Sequence, residues 1–513
     1  MWENFLQGAL LSLRLDTFGM VGLGLLLGMF VGALPGFTTI MAMAVLLPFS
    51  FFLDPMVGIP FLIGVYKGGI YGGSIPAILV SMPGTGASAA TTFDGPALTK
   101  KGQGRKALEM ALFASVCGDF SSDLLTILFI GPIAVLAMKI GPPELGAIIL
   151  LSLIIISATT SGVFAKGLIM CFTGLVFAMI GQDPLGGMSR FTFGIFQIKS
   201  GVPLLPMLIG LFALPEILQA VEGKVSSFVK SDFILKAGER LTFHEFRRCF
   251  KTIMRSTGIG TVLGIIPGVG QVVAAFVGYA AAKNASDHPE TFGKGELEGI
   301  AAPEAANNAV NGPTLVPLLT LGIPGDKITA ILLGAFIAQG LRPGPQLFAE
   351  QAPLVFAILV AMILANVLFL LLGYVTIPLF AKVVTIRKSA LLPLTAIFAF
   401  AGSYVYRSDP FDLLVLVFFG IFGFVAKKFN FDVTPMIMGY ILGPVLEYSF
   451  GQTVNLSRGD MLHYIFIARP VTAGILAVTP VITALLWWRG RRLRSKKEKV
   501  KSEQKGEGVM REG

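Results

Sequence analysis

The chain has 513 residues, of which 54% are hydrophobic and only 14% charged, and its mean hydropathy is +0.77. A soluble chain normally carries about a quarter charged residues, so the composition argues against an ordinary soluble enzyme and for the bilayer. The net charge of +10 is not spread evenly; it gathers in a few loops and above all in the C-terminal tail.

The first apolar run, 18–34, follows an N-terminus with no basic n-region and no clear cleavage site, and is expected to remain in place. Further apolar runs follow at 40–53, 124–138, 145–158, 167–180, 202–214, 353–380, 413–426, 435–446 and 465–488. Many fall short of the ~20 residues a perpendicular helix needs. Gly (61) and Pro (30) are abundant, and short, Gly/Pro-interrupted runs mark broken helices and re-entrant hairpins. The expected fold is an all-α integral membrane protein with about 10–12 transmembrane helices.

An internal repeat is legible. Gly32-Ala-Leu-Pro-Gly36 recurs as Gly264-Ile-Ile-Pro-Gly268. Pro76-Ala-Ile-Leu-Val-Ser-Met-Pro83-Gly84 recurs as Pro317-Leu-Leu-Thr-Leu-Gly-Ile-Pro324-Gly325, and Gly95-Pro96-Ala97-Leu98 as Gly344-Pro345-Gln346-Leu347. Each half carries a Pro-Gly break, a polar stretch, a second Pro-Gly break and then long apolar helices. Basic residues mark cytoplasmic loops. Lys100, Lys101, Arg105 and Lys106 follow the breaks of the first half, where the second half has Glu350 and no base up to Ala352. Lys382, Arg387, Lys388, Lys427 and Lys428 fall where the first half has Gly141-Pro-Pro-Glu144 and Gly181-Gln-Asp183. The charge alternates sides, as two inverted-topology repeats require. The expected layout is a first membrane repeat at 1–220, a cytoplasmic or interfacial connector at 221–255, a second repeat at 256–488 and a basic tail at 489–513. Within the connector, 241–253 reads as an amphipathic interfacial helix.

The tail holds ten basic and four acidic residues directly after Trp487-Trp488. Aromatics at headgroup level followed by Arg489, Arg491, Arg492 and Arg494 indicate a cytoplasmic C-terminus and give no reason to expect nucleic-acid binding. Cys117, Cys171 and Cys249 lack ligand spacing. Gly293-Lys-Gly-Glu is not a Walker A loop, His244-Glu245 is not followed by a second His at helical spacing, and there is no Gly-x-Ser-x-Gly elbow. Neither an enzyme nor a cofactor is expected, and Asp119, Asp123 and Glu304 read as too scattered for an acid–base constellation.

Two polar stretches remain. The first runs from Tyr66-Lys67 through Ser74-Ile-Pro76 to Ser81-Met-Pro-Gly84-Thr85-Gly86-Ala-Ser88 and Thr91-Thr92. The second runs from Pro303-Glu304 through Asn307-Asn308 and Asn311-Gly312 to Thr320 and Pro324-Gly325-Asp326-Lys327. Unwound backbone inside a membrane is tolerated where it lines a cavity or is buried by protein. Half-helix N-termini after such breaks suit a carboxylate. The expected anion site therefore comprises Ser81, Gly84, Thr85, Gly86, Ser88, Asn307, Asn308, Asn311, Gly325, Asp326 and Lys327, near the bilayer midplane. Lys67 is a candidate counter-charge, as is Lys327. A buried lysine needs an anionic partner, so one of the two is expected to pair with a protein carboxylate such as Glu304 or Asp326. Ser74 and Thr320, with backbone near Pro35, Gly36, Pro267 and Gly268, form a candidate Na⁺ shell. Neutral oxygens favour Na⁺ over H⁺, with Glu304 and Asp326 as the groups through which H⁺ would act.

These motifs, together with Phe93-Asp-Gly-Pro-Ala-Leu98, Pro303-Glu-Ala-Ala-Asn-Asn-Ala309 and Leu321-Gly-Ile-Pro-Gly-Asp326, resemble the large membrane subunit of the tripartite tricarboxylate transporters, TctA, over roughly residues 1–485. The resemblance implies a transport-channel subunit in a bacterial inner membrane. It would work with a small four-helix membrane subunit and a periplasmic solute-binding protein, and import citrate or other carboxylates by symport down an ion gradient. The alternative is a stand-alone secondary transporter or exporter of small organic anions.

Overall fold

The computed structural model describes residues 2–160, 163–222, 239–384, 388–485 and 488. The basic tail, Arg387 and residues 223–238 of the connector lie outside the described residues. Among the described residues the fold is all-α apart from one two-residue hairpin, Gly181–Gln182 paired with Ser189–Arg190. In chain order the helices of the first half are α1 (Trp2–Ser12), α2 (Leu15–Ala33), α3 (Thr39–Leu46), α4 (Pro55–Gly72), α5 (Ser74–Val80), α6 (Gly95–Lys100), α7 (Gly104–Ala137), α8 (Pro142–Thr160), α9 (Phe164–Ala178), α10 (Leu204–Phe212) and α11 (Leu214–Glu222). Those of the second half are α12 (Phe243–Ile265), α13 (Gly270–Ala285), α14 (Glu298–Asn308), α15 (Leu315–Leu321), α16 (Lys327–Ala338), α17 (Pro345–Glu350), α18 (Ala352–Val383), α19 (Lys388–Arg407), α20 (Phe411–Lys428) and α21 (Thr434–Leu456). Last comes α22 (Pro470–Leu485), bent 95° from the turns before it.

Among the described residues, five helices are long and apolar enough to cross a bilayer, or six if the bent pair is one span. This is fewer uninterrupted spans than the sequence leads one to expect; α5, α14 and α15, with 7, 11 and 7 residues, are too short to cross. The run predicted at 124–138 is the second half of a single 34-residue helix, α7. The amphipathic helix predicted at 241–253 continues without a break to Ile265, so the expected boundary after residue 255 falls inside α12. Its start is fixed by a capping box between Thr242 and Glu245.

The long helices are apolar outside and polar inside. On α7, Leu124, Leu128, Phe129 and Leu136 are exposed, while Ser115, Asp119, Ser122, Asp123 and Thr126 are buried. On α18, Val367, Leu371, Val375 and Leu379 are exposed and Asn366 is buried. A helix solvated by lipid tails is expected to be sided in this way.

The repeat extends to individual backbone contacts. A Cβ on Gly24, Gly28 or Gly32 of α2 would strike the backbone of Phe61, Val65 or Gly69, and one on Gly64, Gly68 or Gly72 of α4 that of Val21, Leu25 or Met29. Contacts that rise together in number mean parallel helices, and small residues let the backbones touch. The register that aligns the Pro-Gly motifs carries this seam to α12 and α14, where Gly260 faces Ala306 and Gly264 faces Val310. Gly36 and Gly268 both hold positive φ, 81° and 83°. Met82 N–H donates to Pro76 C=O at 3.2 Å, and Ile323 N–H to Pro317 C=O at 3.1 Å.

Relative helix directions follow from side-chain pairs. Leu112 of α7 lies beside Gly373 of α18, Phe113 beside Tyr374 with ring centroids 6.2 Å apart, and Asp123 beside Asn366. Ascending α7 is descending α18, so these two equivalent helices are antiparallel.

By compactness the chain forms two units, Met1–Lys139 with Pro203–Val425, and Ile140–Val202 with Ala426–Gly513. Each unit draws on both halves of the sequence. In the second unit α9 and α21 approach closely at Gly174 and Gly439, and Arg190 forks onto Glu447 at 2.6 and 2.9 Å. The polar stretches all fall in the first unit.

Candidate functional site

α4 and α14, the first arms of the two broken helices, run past each other in opposite directions in the first unit. Lys67 of α4 shares a network with Asn311 at the second break, and Ser74 at the first break bonds Glu304 of α14. α7 runs alongside and contributes a polar face to both ends.

At one end sits an ion cluster. Lys67 Nζ contacts Asp119 Oδ2 at 2.8 Å, Asp123 Oδ2 at 2.5 Å and Asn366 Oδ1 at 3.2 Å. Asn366 Nδ2 donates to Asp123 Oδ2 at 2.7 Å, and Asn311 Nδ2 to Asp119 Oδ1 at 3.3 Å. All five side chains are buried. A lone ammonium here would be very costly, and two carboxylates more than match its charge. Lys67 is thus held by protein carboxylates, as expected for one of the two lysines, but by Asp119 and Asp123 and not by Glu304 or Asp326, the examples named from the sequence. Asp119 and Asp123 looked scattered in the sequence, yet the helix period puts them one turn apart on one face. Two acids at i, i+4, the charged residues of α7 that follow Glu109, were the available signal.

At the other end Glu304 is buried among hydroxyls. Ser74 donates to Oε1 at 2.7 Å, Thr91 donates to the same oxygen, and Ser115 donates to Oε2 at 3.3 Å. Thr85 and Ser88 extend the chain, with Ser88 Oγ 2.8 Å from Thr85 Oγ1 and 3.2 Å from Ser74 Oγ. Asn308 Nδ2 donates to Ser115 Oγ at 2.9 Å and to Asn307 Oδ1 at 2.6 Å. Ser115 and Asp119 are a turn apart on α7, so the two clusters form one polar seam.

The structure therefore brings Thr85, Ser88, Asn307, Asn308 and Asn311 together, and adds Thr91, Ser115, Asp119, Asp123 and Asn366. Ser81 is exposed, as the left-handed C-cap of α5. Gly84 is buried where its N–H donates to Gly73 C=O at 3.0 Å, and Gly86 is exposed. Gly325 packs on Thr314 and accepts from Gly268 N–H at 2.7 Å. Asp326 caps α16: its Oδ1 accepts from Ile328 N–H at 3.1 Å and Thr329 N–H at 2.8 Å. Its Oδ2 accepts from Tyr66 OH at 3.1 Å, and Gln271 donates to the same phenol. The α16 N-terminus, expected to face a substrate carboxylate, thus already holds a protein one. Lys327 is half-buried beside it. Of the candidate Na⁺ shell, Ser74 is bound to Glu304, and Thr320 Oγ1 donates to Val316 C=O at 2.7 Å inside α15.

A further clasp joins the repeats. Asp94 Oδ1 accepts three backbone N–H groups, from Gly293, Gly295 and Glu296, each at 2.8 Å, and Oδ2 accepts from Tyr279 OH at 2.9 Å.

Residues 18–438 match the family described as the Tripartite tricarboxylate transporter TctA family. The chain is 37% identical over 479 residues to an uncharacterized 52.8 kDa protein of the TAR-I ttuC' 3' region of Agrobacterium vitis, covering 93% of this chain and 94% of the relative. It is 39% identical over 243 residues to an uncharacterized protein of the TAR-II ttuC' 3' region of the same organism, covering 47% of this chain and 98% of the relative. No solved structure matches.

Proposed function

We propose that this chain, which belongs to the tripartite tricarboxylate transporter TctA family, is the transport-channel subunit of a binding-protein-dependent secondary transporter. It imports tricarboxylates or related organic acids across the bacterial inner membrane. A periplasmic solute-binding protein delivers the substrate, and a small four-helix membrane subunit completes the assembly.

The observation that carries this reading is the buried polar seam where the two broken helices cross. Ionisable groups inside a membrane protein are costly and mark substrate or ion pathways. Two helix breaks meeting across a pseudo-symmetric repeat make the kind of site secondary transporters use. The antiparallel packing of α7 and α18 supports inverted repeats, and with them a substrate site between the two halves. The side chains Thr85, Ser88, Asn307, Asn308 and Asn311 offer the hydroxyl and amide groups that recognise a carboxylate by hydrogen bonds.

Import of an anion into a negative cell costs about 2.3 kcal/mol per charge per 100 mV, which co-transported cations offset. Na⁺ is favoured over H⁺. The test is uptake of carboxylates into vesicles with the candidate binding protein added, under imposed Na⁺ or H⁺ gradients at fixed membrane potential. Uptake that needs the binding protein and follows Na⁺ is expected. Uptake that follows pH and ignores Na⁺ overturns the Na⁺ assignment, and none with any carboxylate overturns the substrate class.

A further inference from the structure

The ion cluster does not balance. Asp119 and Asp123 bring two negative charges and Lys67 one positive charge, all three side chains fully shielded. The other groups that close the cluster, Asn366 from α18 and Asn311 from the second break, are neutral amides. With both carboxylates ionised, one negative charge is left over in a place where an uncompensated charge is prohibitively expensive, and either a proton or a bound cation must cancel it.

The oxygens also do not balance. Asp123 spends Oδ2 on Lys67 and Asn366, while its Oδ1 is buried without a hydrogen-bond partner among the described residues. Asn311 turns its amide nitrogen to Asp119, and its Oδ1 is likewise buried and unpartnered. A buried acceptor left unmade costs roughly 1–3 kcal/mol. These two oxygens belong to one neighbourhood, because Asp123 Oδ1 lies against the Cα of Gly312, the residue after Asn311. A side chain on Gly312 would strike Asp123 Oδ1 and Thr126 Oγ1. The backbone is thus bare where the unpartnered carboxylate oxygen meets the helix break.

We propose that Asp123 and Asn311 hold one Na⁺ ion at the second break, with Asp119 and Lys67 fixing the carboxylate that binds it. A single monovalent cation cancels the surplus charge, whereas a divalent ion would reverse it. Carboxylate and amide oxygens form a hard, all-oxygen donor set suited to such an ion. Lys67 acts as a tethered cation already in place, so the site needs only one more. The ion would tie α7 to the break in the second repeat, coupling its occupancy to the arrangement of the two broken helices.

The role of this ion in uptake rests on the transport reading; its binding does not. The experiment therefore uses the purified full chain in nanodiscs with no substrate and no partner. Radioactive Na⁺ binding and thermal unfolding are measured in NaCl against choline chloride at constant ionic strength. Saturable Na⁺ binding with a Na⁺-specific rise in melting temperature is expected. Asp123→Asn leaves a balanced Lys67–Asp119 pair and should fold but lose both signals. Asn311→Ala should weaken binding on the order of tenfold, and serves if Asp123→Asn does not fold. Glu304→Gln should keep the Na⁺ response. No Na⁺-specific signal in the wild type, full binding in Asp123→Asn or Asn311→Ala, or loss only in Glu304→Gln would each overturn the assignment. Vesicle uptake without Na⁺ dependence, alongside intact Na⁺ binding, would instead refute the coupling reading alone.

Discussion

The two broken helices share a backbone and differ in chemistry. Pro76 and Pro317 accept the same closing hydrogen bond, Ser81 and Gly322 both take a left-handed conformation with φ of 58° and 71°, and the glycine seams recur in register. Yet the alignment that sets Pro76 against Pro317 puts Lys67 against Asn308 and Ile63 against Glu304. One arm carries the ammonium, the other a carboxylate and a row of amides. A repeated scaffold fixes where two helix breaks meet; unlike side chains on it make one asymmetric site instead of two copies. Backbone contacts tolerate little change because any added atom meets another backbone. Side chains that face the seam answer only to charge balance and hydrogen bonding.

The sharpest way to break the comparison is topological, since the outcome is all or none. If the halves are inverted, Lys101→Cys and Glu350→Cys, both at exposed positions after the breaks, label from opposite sides of the membrane. Labelling from one side would mean the repeats share an orientation. Next in size is the charge that separates the arms. Lys67→Ala strands Asp119 and Asp123, and removing one partner of a buried ion pair costs about 3–5 kcal/mol. Folded yield should collapse, and Lys67→Met combined with Asp119→Asn and Asp123→Asn should recover it without recovering uptake. Size-exclusion profiles and melting curves read this, and a stable Lys67→Ala would show the cluster to be hydrated. On the other arm, Asn308→Ala removes the donor to Ser115 and Asn307. Uptake should fall about tenfold, with a smaller fall for Thr85→Ala, at a scale of 1–2 kcal/mol for lost hydrogen bonds. Wild-type uptake in both variants would remove these stretches from the transport path. The smallest effect tests the shared backbone: Ser81→Gly should stabilise by about 0.5–1 kcal/mol and Gly322→Ser destabilise by about 1 kcal/mol, because only glycine adopts φ near +60° without penalty.

Much of this was legible before any coordinates. The membrane class followed from composition, the repeat from matched Pro-Gly motifs, and the polar stretches from Asn, Ser and Thr clustered where an apolar chain has no other reason to hold them. The seam was less legible. Asp119 and Asp123 sit far from the motifs in sequence, and Asn366 is a single amide in a long apolar helix. Asp326 belonged to a conspicuous motif, but its carboxylate is engaged as a helix cap, which motif reading alone does not separate from ligand binding.

Local sequence by itself marked the longest apolar runs and the paired Pro-Gly breaks, since hydropathy, proline and glycine act on their immediate neighbours, but it did not mark α4, α13, α14 or α16 as helices. Only the tertiary structure decided what each buried charge faces. Lys67 and its partners come from α4, α7, α18 and the second break, and whether a buried group is paired, surplus or a cap depends on helices distant in sequence that the glycine seams bring into contact.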